Sequence, residues 1–426
     1  EGNPFYIEEV INSLIESETL IRDNGNWKLT RAISEAEVSS TIHGVISGRL
    51  DRLEKESKRI LQEASVIGRT FFYEILNQVS QLKDQIDKNL RSLERLDLIR
   101  AKTLQPDLEY IFKHALTQEL VYSGLLKKER QLIHERIGLV MEQLFHDRLP
   151  EFYETLAYHF QQGQTDLKAV NYLIKSGEKS LKRCSLEESH QYFQEALNIL
   201  TQKKEKSLEE ERLIIDLLVK WAMVYYYSGN AKGWTDQFLD YKDLAKSVAD
   251  PESLGMFHAW GGFQFLGRNH KQSNHHLKKA LDIGEDAKNQ KVIGYACTWL
   301  NWLYADLGRF DDAIAFGERA QEISRVFEDD QYLYFKSLGA LGYTYGFKGK
   351  KNEQRKIAKK LLEYGKKHSN NRCLAMSYFI KGTMARLSGN ISEVKKASQN
   401  ASNVTLDPFY DHIGKTSLAM GYILDN

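Results

Sequence analysis

Residues 295–320, YACTWLNWLYADLGRFDDAIAFGERA, decide the fold of this chain. Two amphipathic stretches flank a short polar turn at Gly308, and the same arrangement recurs at four other glycines: Gly229, Gly267, Gly349 and Gly389. Successive turn glycines are separated by 38, 41, 41 and 40 residues. A fixed period with one turn per unit is typical of stacked helical hairpins, which bury a continuous core and offer a long surface to partners.

The side chains of the quoted unit suit close packing of helices. Apolar residues recur at helical spacing on both sides of the turn. Ala313 and Ala320 are small enough to let neighbouring helices approach, and Tyr304 and Phe310 are large enough to fill the gaps between them. The sequence therefore predicts a mainly α fold in which residues 149–426 are helical repeats.

Composition places the chain among ordinary globular proteins. It has 426 residues, enough for two to four domains, and a net charge of +1, which gives no reason to expect a polyanionic partner. No apolar run approaches the roughly 20 residues that span a bilayer, so we expect no membrane segment. Three widely separated cysteines fit a reducing compartment, so we expect a cytoplasmic location.

The first 148 residues have a different pattern. Residues 1–43 combine an amphipathic helix over 4–20 with a β-hairpin whose turn is Asp23-Asn24-Gly25-Asn26. Residues 44–148 begin with three short helices, which the sequence predicts at 57–66, 73–79 and 83–96. Two strands, 98–101 and 108–112, and a helix pair at 115–147 follow. Three helices followed by a two-stranded wing is the order of a winged-helix module.

Residues 112–137, FKHALTQELVYSGLLKKERQLIHERI, resemble a signature of the signal-transduction STAND NTPases. The similarity is to the bacterial branch in which such an ATPase joins a class III nucleotide cyclase or a protein kinase to tetratricopeptide repeats. Residues 2–9, GNPFYIEE, resemble the start of the helical lid in this family, and residues 49–69 resemble the start of its winged helix. The part after Pro150 resembles tetratricopeptide repeats by its period, with units longer than the usual ~34 residues.

The resemblance implies roles for two residues. Pro4 matches the lid proline that packs on the nucleotide base, and His114 matches the winged-helix histidine that senses the phosphates. The plain alternatives are a helix-starting proline and a polar residue at a strand–helix junction. The winged helix would be a latch between the repeats and a nucleotide-binding core, and residues 1–43 would be a remnant of the lid.

One feature of the family is missing from this sequence. It has no Gly-x-x-x-x-Gly-Lys-Ser/Thr loop and no apolar strand ending in a magnesium-binding Asp. The resemblance therefore places the nucleotide-binding core, and the ATP or ADP that it binds, before residue 1. We assign no cofactor, catalytic residue or enzymatic activity to these 426 residues.

A strongly basic segment at 348–368 is the clearest candidate for partner binding. Lys351, Arg355 and Lys359 share one helical face, whereas Ile357, Leu361 and Leu362 should point elsewhere. Such a face could dock an acidic partner or nucleic acid, and the plain alternative is a solvated helix surface.

Other clusters are weaker candidates. His270, His275 and His276 lack both the helical spacing and the additional ligands of a metal site, so we predict none. A group of aromatic residues could line a peptide groove or fill the core between repeats: Tyr225, Tyr226, Tyr227, Trp260, Trp299 and Trp302. Balanced charges on the helix at 84–97 argue against DNA reading.

The leading hypothesis is the regulatory and sensor segment of a STAND-type ATPase. Its repeats would bind a protein, peptide or small ligand, and the winged helix would pass that state to the upstream core. Two alternatives stay open: a stand-alone repeat adaptor for protein–protein interaction, and a transcription regulator that uses the winged helix on DNA.

Overall fold

The computed structural model describes residues 4–23, 25–31, 41–103, 107–248, 250–327, 329–405 and 407–423. The chain divides into two compact units between Tyr172 and Leu173. The first unit mixes short helices with two small sheets, and the second consists of helices throughout its described residues. The domain limits 1–43, 44–148 and 149–426 stay a prediction.

The first unit opens with a helix and a hairpin. Helix α1 (Pro4–Glu16) ends four residues before the predicted limit, and strand β1 (Leu20–Asp23) follows it. Strand β2 (Asn26–Leu29) pairs antiparallel with β1, so the predicted hairpin is confirmed; residue 24 of its turn lies outside the described residues. Helix α2 (Ile42–Asp51) is capped by Thr41, whose hydroxyl accepts a hydrogen bond from the backbone N–H of Gly44.

Three helices and a small sheet come next. The elements are α3 (Lys55–Ile67), β3 (Thr70–Phe72), α4 (Tyr73–Val79), a 3-10 turn (Lys83–Gln85), α5 (Ile86–Arg95), β4 (Ile99–Thr103) and β5 (Glu109–Phe112). The strands form an antiparallel sheet in the order β3-β5-β4. Three helices and two of the strands lie within three residues of the bounds that the sequence predicts. The third strand, β3, was missed because its three residues run directly into α4. The winged-helix assignment stays a prediction.

Four helices complete the first unit and lead into the second: α6 (Ala115–Ser123), α7 (Lys127–Leu144), α8 (Tyr153–Gln162) and α9 (Asp166–Lys182). Helix α9 crosses the division between the units. A continuous apolar core joins α2, α3, α4, α5 and the sheet, and its fully enclosed members include Ile46, Ile60, Leu76, Ile86, Leu93, Ile99 and Phe112.

A buried ion cluster joins α1 to α2 in the first unit. The Arg49 guanidinium is 2% exposed, and it binds the carboxylates of Glu9 and Glu16. It also donates to the backbone carbonyl of Leu96 at 2.7 Å. These bonds satisfy a cation that would otherwise be costly to bury.

The second unit continues with eleven helices as described: α10 (Leu186–Gln202), α11 (Leu208–Tyr227), α12 (Ala231–Ser247), α13 (Pro251–Gln264), α14 (His270–Asp286), α15 (Gln290–Asp306), α16 (Phe310–Ser324), α17 (Gln331–Phe347), α18 (Lys351–Lys367), α19 (Asn371–Leu387) and α20 (Ile391–Val404). A final helix, α21 (Pro408–Ile423), packs on α20. From α9 to α20 the helices pair as six consecutive hairpins that stack into a tetratricopeptide-like superhelix, which confirms the predicted fold of the repeats.

The five periodic glycines all stand in the turn that closes a hairpin. Their φ angles lie between 67° and 78°, in the left-handed region that glycine adopts without steric cost. At Gly308 the following N–H, that of Arg309, returns to the carbonyl of Tyr304 at 2.8 Å. This bond satisfies a carbonyl at the end of α15, as in a Schellman motif. The period of the sequence therefore marks the ends of the first helices of five hairpins.

Small residues let the helices of the second unit approach closely. Ala313 and Ala320 are fully buried, as the sequence predicts, and Tyr304 stacks on Phe316 with ring centroids 5.5 Å apart. At Gly262 a Cβ would collide with the side chain of Leu277 on the next helix. Close packing of this kind leaves little free volume between hairpins.

Arg372 of α19 connects distant helices of the second unit. Its guanidinium makes two hydrogen bonds to the Asp407 carboxylate, of 2.6 and 3.1 Å, and lies 3.6 Å from the ring centroid of Tyr227 on α11. It also donates to the carbonyl of Leu181 on α9 at 3.3 Å. The first and last hairpins of the unit are thus joined through one side chain.

Among the described residues, no helix has the length and apolarity needed to cross a membrane.

Candidate functional site

A cavity of the second unit lies along the basic helix α18. It has a volume of about 470 Å3 and is bordered by α18, the end of α19 and the start of α20. Lys351, Arg355 and Lys359 all line it, so the structure brings the three predicted partner-binding residues to one surface. We refer to this cavity as the α18 groove.

The sequence of α18 explains why its cations face the groove. Gln354, Ile357, Ala358 and Leu361 are buried against the neighbouring helices, which fixes the rotation of α18. The amide of Gln354 donates to the Thr383 hydroxyl of α19 at 3.1 Å and further holds the two helices in register. The other faces of α18 are therefore exposed, and one of them carries Lys351, Arg355 and Lys359.

The charge of the groove is strongly one-sided. Lys381 of α19 adds a fourth cation, and Glu393 of α20 is the one carboxylate among the described lining residues. Within the described part of the chain, Lys351 and Arg355 have no carboxylate within ion-pair distance. Lys359 lies 3.6 Å from Glu363, but both side chains are exposed, so this pair contributes little. The cations are thus available to an incoming anion.

The floor of the groove is apolar. It is formed by Ala358, Leu362, Met384, Ala385 and Leu387, and Leu387 is 44% exposed. The prediction that Leu362 points away from the charged face is wrong, because this half-buried side chain lines the groove. A methionine can adapt its shape to different apolar groups. Long cations above an apolar floor suit an acidic peptide that also carries apolar side chains.

His114 and the start of α1 meet in the first unit. Pro4 opens α1, and the next residue, Phe5, packs on the His114 ring with centroids 4.0 Å apart. The His114 Nε2 atom lies 3.7 and 3.8 Å from the carboxylates of Glu8 and Glu9. Among the described residues this buried nitrogen has no hydrogen-bond partner. Burial lowers the pKa of His114, and the two nearby carboxylates only partly oppose that effect.

The neighbour of His114 is held in place by charge. The Lys113 ammonium bonds to the carboxylates of Glu8 on α1 and of Asp97, which lies just before β4. Burial alone would lower the pKa of Lys113, but the bonds to Asp97 and Glu8 raise it by more, so the pKa lies above its usual value. The segment before α6 is therefore fixed against α1, with one polar atom of His114 unsatisfied. The nucleotide-related roles of Pro4 and His114 stay predictions.

No group of three or more His, Cys, Asp or Glu in the described residues could hold a metal ion. His276 instead approaches His258, with their Nδ1 atoms 3.2 Å apart. Of the aromatic candidates, Tyr226, Trp260 and Trp299 are at most 3% exposed and belong to the core between hairpins.

Comparison with known proteins does not assign this chain to a family. No protein-family model matches the sequence. An uncharacterized protein, R02095 of Rhizobium meliloti (strain 1021), is 23% identical over 227 residues, which is 51% of this chain and 21% of that protein. The match thus covers about a fifth of that relative's length.

Several solved structures are similar at low identity. One is a STAND protein with a tetratricopeptide repeat sensor from Pyrococcus horikoshii, with 13% identity, a TM-score of 0.40 and coverage of 91% of this chain and 66% of that one. Another is a Rap protein complexed with competence and sporulation factor, with 12% identity, a TM-score of 0.47 and coverage of 89% and 96%. A third is the quorum sensor NprR from B. thuringiensis, with 12% identity, a TM-score of 0.40 and coverage of 83% and 97%. The fold assignment rests on the helices and turns described above.

Proposed function

We propose that this chain is a sensor of a STAND-type signalling protein and that its repeats bind an acidic peptide or protein segment in the α18 groove. The observation that carries the proposal is the alignment of Lys351, Arg355 and Lys359 along one wall of a 470 Å3 cavity with an apolar floor. A solvated helix face needs no such cavity. Charge complementarity would guide the encounter, and the buried apolar side chains of the partner would supply affinity.

Charge reversal in the groove tests this proposal. We expect Lys351→Glu/Lys359→Glu to weaken binding of a fluorescein-labelled peptide of alternating Glu-Glu-Leu sequence at least tenfold, because two attractions become repulsions at the contact surface. Fluorescence anisotropy at low and physiological salt measures the change. Raising the salt should weaken binding to the unaltered protein as well.

The same helix provides a matched control. Lys356 and Lys360 are also exposed on α18 but do not line the groove, so Lys356→Glu/Lys360→Glu changes the net charge equally. This variant should weaken binding less than threefold. Equal losses in both double variants would show a non-specific charge effect. Binding of a Lys-Lys-Leu peptide as tight as that of the acidic peptide would contradict the proposal directly.

The coupling part of the proposal concerns His114. Its unsatisfied Nε2 and its contact with the first turn of α1 suit a residue that completes its hydrogen bonding with a ligand phosphate. We expect His114→Ala in the natural full-length protein to weaken binding of fluorescent mant-ADP at least tenfold, measured by titration. The exposed His146 supplies the control, His146→Ala. A stand-alone adaptor would show no nucleotide dependence, and His114→Ala would then be silent.

A further inference from the structure

Lys336 of α17 is buried in the core of the second unit without a carboxylate partner among the described residues. The side chain is 3% exposed, and its ammonium donates one hydrogen bond, to the Tyr226 hydroxyl at 2.6 Å. An ammonium carries three donors, so two remain for another acceptor. A buried lysine with one neutral acceptor is unusual, because a buried charge is normally paired.

Aromatic rings from three other helices surround the ammonium. The nitrogen lies 4.9 Å from the ring centroids of Tyr226 and Trp299, 5.1 Å from that of Trp302 and 5.5 Å from that of Phe409. The electron-rich faces of such rings attract a cation. They supply no counter-charge, and burial still lowers the pKa of Lys336 to about 7. We refer to Lys336 and these four rings as the lysine cage.

The surroundings of the cage have further donors without acceptors. The indole N–H groups of Trp299 and Trp302 are buried, and neither has a partner in the described part of the chain. The same holds for the amide nitrogen of Gln264, a residue that is 4% exposed. Each buried donor left unsatisfied costs about 1–3 kcal/mol. An excess of donors around a cation is the chemistry of an anion site.

A small cavity adjoins the lysine cage. It has a volume of about 120 Å3, and its lining includes Tyr226 and Phe409 of the cage together with Phe263 and Gln264. Tyr226 and Phe409 contact each other with ring centroids 4.4 Å apart and form the wall shared by cavity and cage. Phe409 is half-buried on α21, whereas Tyr226 is 3% exposed, so the Phe409 ring is the more exposed part of that wall.

We propose that the lysine cage and this cavity bind a small monocarboxylate with a short apolar chain. The carboxylate accepts hydrogen bonds from the Lys336 ammonium and the indole N–H groups, and the hydrocarbon part occupies the aromatic cavity once the Phe409 ring turns aside. The volume, about four times the ~30 Å3 share of a water molecule, limits the ligand to a few carbon atoms. This site is separate from the α18 groove in its residues, and the inference does not depend on the proposed function.

Tryptophan fluorescence tests the inference, because Trp299 and Trp302 belong to the cage. Sodium propionate should change the emission of the unaltered protein in a saturable way, whereas sodium chloride at equal ionic strength and the neutral isostere propionamide should not. Lys336→Met should raise the propionate concentration at half-saturation at least tenfold. This replacement keeps the volume and removes a buried charge, so the variant should fold. The exposed-lysine control Lys356→Met should leave the response unchanged.

A second variant tests the inference even if the contact between Tyr226 and Phe409 keeps propionate away from Lys336 in the unaltered protein. Phe409→Ala removes the ring that lies between the cavity and the ammonium, so propionate should bind at least threefold more tightly than to the unaltered protein. The inference is overturned if Lys336→Met retains the propionate response. It is also overturned if neither the unaltered protein nor Phe409→Ala gives a saturable response.

Discussion

Replacing Asp407 with Asn is expected to lower the free energy of unfolding of the second unit by about 3–5 kcal/mol. The exchange removes the countercharge of Arg372, whose guanidinium is 9% exposed and cannot regain water without opening the structure. The Tyr227 ring and the Leu181 carbonyl still contact the guanidinium, but neither carries a full negative charge. Urea unfolding followed by circular dichroism measures the loss.

Asp411, on the helix α21 that follows Asp407, supplies the matched control. Its carboxylate pairs with Lys415 at 2.6 Å, four residues along α21, and the lysine side chain is 72% exposed. Asp411→Asn should cost less than about 0.5 kcal/mol, as exposed pairs of this spacing do. Equal losses in the two variants would contradict the role given to Arg372. The double variant Arg372→Met/Asp407→Leu should recover most of the stability, because no unpaired charge then remains.

Acid should destabilise the first unit through a pair of buried histidines. The Nδ1 atoms of His134 and His159 lie 2.9 Å apart, and each residue is 1% exposed. Burial lowers the pKa of His134 to about 4 and that of His159 to about 3. Burial is the larger cause for His134, and the nearby Arg130 guanidinium of α7 is the smaller one. The Tyr122 hydroxyl of α6 contacts the His134 Nε2 atom at 3.0 Å.

The direction of the effect follows from proton binding. Below pH 6.5 the unfolded chain takes up protons on both imidazoles, whereas the folded chain keeps them neutral until its lower pKa values are reached. The free energy of unfolding therefore falls by about 1.4 kcal/mol per pH unit for each histidine. Between pH 7.5 and 5 the loss is about 2 kcal/mol for each, or about 4 kcal/mol for the pair. Stability is fully present above pH 6.5 and decreases as the solution is acidified.

Urea unfolding at pH 7.5, 6 and 5 checks this expectation. His134→Gln/His159→Leu should reduce the dependence on pH by about 4 kcal/mol, whatever its stability at pH 7.5. His146→Gln, at an exposed position of the same unit, is the control for loss of an imidazole. The pair His258 and His276 in the second unit also has lowered pKa values, about 3 and 4, so some dependence on acid remains. An unchanged slope in the double variant would refute the role of the pair.

The sequence predicts the repeats well because their signal is local and periodic. Each periodic glycine adopts the positive φ angle of its turn, so the glycines mark the positions of these turns in the sequence. The turns at Gln164, Cys184, Lys288 and Ser369 have φ between 50° and 62° without a glycine, so no residue type marks them. A positive φ is uncommon for residues other than glycine, so the sequence gives no warning of these turns.

Only part of the candidate site, the α18 groove, can be predicted from the sequence. Lys351, Arg355 and Lys359 follow helical spacing on one element, which makes their common face predictable. Lys381 and Met384 belong to another helix, and their approach depends on how α18 and α19 pack. The pairs Arg372–Asp407 and Arg49–Glu9 join residues 35 and 40 positions apart, and no periodic pattern in the sequence predicts them. The Lys336 cage was missed for the same reason.

The bonds of Arg372 have a consequence for how the repeats come apart. In an open array each hairpin touches only its neighbours, so terminal hairpins fray one after another. Here the guanidinium ties the α9 backbone to α19 and to the residue just before α21. Losing the last helices would also release the first, and partial opening from either end becomes costly. Hydrogen exchange across α9–α20 should therefore report one cooperative transition with similar protection at both termini of the array.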